Sequence, residues 1–195
     1  MRPRLTVLAP SVVEVVRSVG GWLFDRAMAG WDVTVITSDY RDSRPLRILG
    51  ASVRDLETAL TMPVLDACLS VIAVRSDLYG CDARVRRMVL TAFDEGLAEV
   101  RFWGDPRPED LDGTADPVWH RLSIAARAFK AQALAAAAAP ADPNEYVEVF
   151  RRDTSATLIR RIRVTGAPAW RSYAPPGTGG RNPRPAPAAS QAPAR

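Results

Sequence analysis

Residues 5–37 read LTVLAPSVVEVVRSVGGWLFDRAMAGWDVTVIT, and the fold class follows from them. Leu5-Thr6-Val7-Leu8-Ala9 is a short apolar run stopped by Pro10, the pattern of a buried strand. Ser11 carries a side-chain oxygen suited to capping a helix start. Val12, Val15, Val16, Val19, Leu23 and Ala27 then recur at helical spacing. Gly30 is a natural stop for that helix. Trp31 to Thr37 is a second strand, rich in β-branched residues. Gly20-Gly21 lies mid-helix, where each glycine costs about 1 kcal/mol relative to alanine. Gly20 follows Val12 and Val16 at four-residue steps, so close packing of this face on a sheet is the expected compensation.

Working outward, Ser38 to Pro45 is a polar loop. Leu46 to Leu49 predicts a short third strand, and Ser52 to Leu60 a short helix with Val53, Leu56, Ala59 and Leu60 inward. Ala67 to Val74 is an almost unbroken apolar run, the best candidate for a central parallel strand. Asp82 to Glu95 predicts a helix with Val85, Met88, Val89, Ala92 and Phe93 on one face. Leu97 to Trp103 is a fifth strand. Alternating strands and helices predict an α/β fold: a Rossmann-like, mostly parallel five-stranded sheet with flanking helices, over residues 1–106. Right-handed crossovers favour the strand order 3-2-1-4-5, with a flavodoxin-like order as the alternative. Residues 107–141 read as a linker and a C-terminal helix. That helix would start at Asp116-Pro117, a cap followed by a first-turn proline. Its apolar stripe would be Val118, Leu122, Ala125, Ala126, Phe129 and Ala133. Within 142–166 a β-hairpin is expected, with arms Tyr146 to Phe150 and Thr157 to Val164. Residues 167–195 are dominated by Pro, Ala, Gly and Arg, and a disordered tail is expected there.

The chain has 195 residues, 47% hydrophobic and 25% charged. That composition excludes collagen-like, wholly disordered and disulfide-dense classes. No apolar run is long enough to span a bilayer, and the first residues lack a secretory signal pattern. Cys68 and Cys81 form no C-x-x-C pair and His120 is the only histidine, so a Cys/His zinc site is disfavoured. Reducing, cytoplasmic conditions fit best. Lys130 is the only lysine beside 25 arginines, as a GC-rich coding sequence produces. Residues 1–110 hold 14 arginines and 16 acidic residues, whereas 111–195 hold 12 basic and 6 acidic ones. The basic half suits an acidic partner.

In open α/β sheets, ligands sit beyond the carboxyl ends of strands where the order reverses. That rule selects Ser11, Asp39, Arg75, Ser76 and Asp77 as ligand-binding candidates. Arg75 suits an anionic group, helped by backbone N–H groups of the next helix; the structural alternative is Arg75 paired with a nearby carboxylate. No glycine lies between Met1 and Val19, so the dinucleotide fingerprint is missing, and no G-K-[ST] supplies a phosphate loop. No cofactor, metal site or catalytic triad is expected. Arg151, Arg152, Arg160, Arg161 and Arg163 are candidate contacts to a protein partner or nucleic acid. Missing fingerprints favour a non-catalytic domain for ligand sensing or protein contacts. A small transferase or hydrolase acting on a nucleotide-like or anionic substrate is the second expectation. A nucleic-acid-associated role for the Arg-rich extension is the third.

Overall fold

The computed structural model describes residues 2–61, 69–105, 116–142 and 144–152. The elements are β1 (Arg4–Ser11), α1 (Val12–Met28), β2 (Asp32–Asp39), α2 (Arg44–Ile48), β3 (Ser52–Asp55), α3 (Leu56–Thr61), β4 (Leu69–Arg75), α4 (Ser76–Cys81), α5 (Ala83–Asp94), β5 (Glu99–Trp103), β6 (Asp116–Arg121), α6 (Ile124–Ala136) and β7 (Val147–Arg152). One seven-stranded sheet runs β3-β2-β1-β4-β5-β7-β6. The first five strands are parallel and follow the expected Rossmann-like order. β7 is antiparallel to both β5 and β6.

The β1–α1–β2 reading holds closely. Ser11 caps α1 by accepting from the Glu14 N–H at 3.3 Å. Gly30 adopts a left-handed φ of 84°, which reverses the chain into β2. The third strand lies elsewhere than expected. Leu46 to Leu49 belongs to a helical turn, with Pro45 in its first turn and both leucines fully buried. Three apolar residues around Arg47 carry no period that separates strand from helix. Ser52–Asp55, expected as helix, pairs with β2 instead. The Asp55 carboxylate then accepts from the Thr58 N–H and hydroxyl, turning the chain into α3.

The larger correction concerns residues after 115. Asp116-Pro117 opens an edge strand, not a helix. Pro is tolerated at the start of such a strand, where a missing N–H breaks no ladder. α6 begins eight residues later, capped by Ser123, whose hydroxyl accepts from the Ala126 N–H at 2.9 Å. Tyr146 to Phe150 does contribute a strand, but its described partners are β5 and β6. The expected second arm, Thr157 to Val164, and the tail lie outside the described residues.

Two cores cover the sheet. α1, α2 and α6 pack on one face around Leu5, Val7, Val16, Trp22, Leu23 and Phe150. α3, α4 and α5 pack on the other around Leu8, Ile36, Ile72, Tyr79, Val89 and Phe102. The double glycine of α1 meets neighbouring apolar side chains, not the sheet itself. A Cβ on Gly21 would lie 2.0 Å from Leu122 Cδ2, and one on Gly20 would lie 3.2 Å from Leu49 Cδ1. Only glycine lets these elements approach so closely.

Beside that notch, Glu148 is completely buried. Its carboxylate accepts from the Gly21 N–H at 2.9 Å, the Trp22 N–H at 2.7 Å and Lys130 Nζ at 2.7 Å. Lys130 also meets Glu145 at 2.8 Å. Burial pushes the Glu148 carboxyl above its ordinary range, against the pull of Lys130 and the two backbone donors. A buried charge needs partners on every side, and Glu148 has them.

Candidate functional site

Pairing of β1 with β4 ends at Leu8 and Val74, and the candidate site lies just beyond, at the carboxyl ends of both strands. Arg75, the last residue of β4, emerges on the α1 side of the sheet. Its Nη1 pairs with Glu14 Oε1 in the first turn of α1. Its Nε donates to Asp77 Oδ1 at 2.9 Å. The same Asp77 oxygen accepts from the Leu78 N–H at 2.7 Å, at the start of α4. Gly104, at a φ of 78°, lies against the arginine stem; a Cβ there would come 3.7 Å from both Cγ and Nε. The arginine is therefore held from α1, α4 and the end of β5. Its Nη2 has no partner among the described residues, and neither does Asp77 Oδ2.

Of the residues expected at this site, Arg75 and Asp77 come together. Ser11 stands at the mouth, its hydroxyl engaged in capping α1. Ser76 is 2% exposed, and its Oγ has no hydrogen-bond partner among the described residues. Asp39, the last residue of β2, is exposed, in register with Ser11, and joins none of these contacts. Glu14 was missed by sequence reasoning. Its signal was present: Ser11-x-x-Glu14 has the spacing of a capping box, which places a carboxylate in the first helical turn. Gly104 directly follows β5, and nothing in the sequence marks it as a neighbour of Arg75.

The basic candidates divide. Arg151 and Arg152 end β7 and point to opposite faces of the sheet. Arg160, Arg161 and Arg163 lie outside the described residues. His120 does not reach the crevice. Its Nε2 sits 2.8 Å from Asp25 Oδ2, while the Ser123 hydroxyl donates to Asp25 Oδ1 at 2.6 Å. Burial raises the Asp25 pKa, but these hydrogen bonds outweigh it and hold the carboxyl below its usual range. Ser123 bonds the carboxylate and not the imidazole, so this is a tie between α1 and the start of α6, not a nucleophile with its base. A groove of roughly 600 Å³ between α6 and the segment before β7, lined by Leu122, Ile124, Ala131, Leu134 and Glu145, holds none of the strand-end residues.

The chain matches no protein-family model and no curated protein. Solved structures do match its fold. One is the A40926 pseudoaglycone deacetylase, at 18% identity and a TM-score of 0.56, covering 78% of this chain and 97% of that one. A zinc-inhibited form of a teicoplanin deacetylase matches at 14% identity and a TM-score of 0.54, covering 78% and 100%. A deacetylase–teicoplanin complex matches at 14% and 0.54, covering 76% and 97%. These likenesses confirm the α/β fold. Against the expectation of a non-catalytic domain, the three matched proteins are deacetylases. Zinc has no evident seat here. Among the described residues no three His, Cys, Asp or Glu side chains converge as metal ligands, and the only imidazole is spent on Asp25. No helix among them is long and apolar enough to cross a membrane.

Proposed function

We propose that this chain is a hydrolase that removes an acyl group from a small substrate bound in the β1/β4 crevice. The observation that carries the reading is the Glu14–Arg75–Asp77 cluster, built at the strand-order reversal of a fold shared with deacetylases. Asp77 Oδ2 is the general base: it takes a proton from water as the water oxygen bonds to the acyl carbon. The unpartnered N–H groups of Arg75 Nη2 stabilise the oxyanion that forms. The carbon–nitrogen bond then breaks, the amine leaves with the proton held on Asp77, and the acid is released. Glu14 is a positioning residue, fixing the guanidinium from the far side.

The cluster sums to one negative charge. That favours an acylated amine, whose product is a cation, over the nucleotide-like or anionic substrate that Arg75 alone suggested. Acetate release from a panel of N-acetylated amino sugars and glycopeptides tests the proposal. Asp77→Asn is expected to lower kcat about a hundredfold. Glu14→Gln should act through Arg75 and change kcat less, with a KM shift. Turnover that is absent across the panel, or equal in wild type and Asp77→Asn, sinks the assignment.

A further inference from the structure

The helical layers of this sheet are unequal. On the α1/α6 side the cover extends to Phe150 and Leu122. On the other side it stops at β5, where Tyr79 packs edge-on against Phe102 with ring centroids 5.1 Å apart. Beyond Phe102 no helix among the described residues covers the β7–β6 pair on this side. Register places three cross-strand pairs on it: Pro117 with Arg151, Trp119 with Val149, and Arg121 with Val147. Trp119 is 65% exposed, Val149 51% and Val147 40%. No carboxylate stands among these six residues. No ion pair or hydrogen bond engages Arg121 or Arg151 among the described residues. The two arginines lie four registers apart, about 13 Å along the strands, with the indole between them.

The chemistry of this face selects its occupant. A flat, cationic surface with an open aromatic ring complements an anion that also carries π-faces. Two copies of the face, or the arginine-rich residues that follow β7, would oppose like charges. An extended peptide adding to the edge of β6 meets Pro117, which removes a backbone donor from that strand. We infer that the β6–β7 face binds single-stranded nucleic acid: one base stacks on Trp119, and phosphates on either side meet Arg121 and Arg151. This role is separate from the crevice and does not depend on the proposed hydrolysis.

Fluorescence anisotropy of a short labelled oligo-dT with the full chain tests it. Binding should weaken steeply between about 50 and 200 mM salt. Trp119→Ala should weaken it about tenfold, Val149→Asp by a similar factor, and Trp119→Phe much less. The double change Arg121→Ala/Arg151→Ala should lower both the affinity and the salt slope. Trp119, Arg121 and Val149 are exposed and Arg151 is half-buried, and an unchanged Tm verifies the fold. Equal affinity of wild type and every variant would assign binding to the basic extension and overturn the inference. So would no binding at low salt. Poly-glutamate that binds as tightly, with the same sensitivity to Trp119→Ala, would replace nucleic acid by an acidic protein partner.

Discussion

Two clusters in this molecule have the same composition, one cation between two carboxylates, and opposite fates. Lys130 lies between Glu145 and Glu148, with its side chain 4% exposed, that of Glu148 at 0% and that of Glu145 at 28%. Arg75 lies between Glu14 and Asp77 at the mouth of the crevice, with the carboxylates 30% and 39% exposed. In the first, every acceptor of Glu148 is directed at a protein donor. In the second, a guanidinium edge and a carboxylate oxygen are left over. The sealed cluster holds elements together, and the open one has capacity to act on something else.

That contrast can be broken most forcefully at Lys130. Lys130→Met leaves Glu148 buried without its counter-ion and should cost about 3–5 kcal/mol in urea unfolding. The loss should shrink in acid. Burial already raises the Glu148 pKa, so the fold is favoured while the carboxyl is protonated at low pH and loses that stability as pH rises and the group must ionise. Arg75→Ala should instead cost about 1 kcal/mol of stability while abolishing turnover. Comparable stability losses in the two variants would erase the distinction.

Gly21→Ala comes next. Its Cβ meets the Leu122 side chain at 2.0, 3.1 and 3.2 Å, so the whole leucine must swing aside. We expect about 1–3 kcal/mol of destabilisation, largely relieved when Leu122→Ala is added. A double-mutant cycle reads that coupling directly. The smallest effect is expected at Asp25. Its carboxyl is held below the ordinary range, so its stabilising contribution is full above about pH 4 and fades as pH falls further. Asp25→Asn should flatten the acid limb of a Tm-against-pH curve. An unchanged limb would show that His120 and Ser123 add nothing there.

The same two regions differ in how much of them the sequence disclosed. Around β1 and β4 the strands are central and covered on both faces, and Gly30 and Gly104 turn the chain after α1 and β5. Local chemistry and tertiary structure agree there, and the strand-end rule selects Arg75 and Asp77, which the structure places in contact. Past residue 115 they disagree. Asp116-Pro117 is a sound helix start in isolation, but the edge of a sheet accepts proline equally well, and pairing with β7 decided the matter. The α6 stripe was misjudged for a related reason. A buried lysine counts as polar in any periodicity, yet Lys130 occupies the inward face with Ala126, Ala133 and Leu134. Its partner Glu148 lies eighteen residues away on a strand, beyond the reach of any local pattern. Glu14 went unread as a site residue because first-turn acids usually serve the helix itself.

Lys130 has a practical consequence of another kind. It is the only lysine in the chain, and the fold hides its amine. Amine-directed labels should therefore modify native protein at its amino terminus alone. A second label per molecule would appear only as the β7–α6 contact opens. The chain thus carries a single intrinsic reporter of its own unfolding, readable by mass spectrometry without altering one residue.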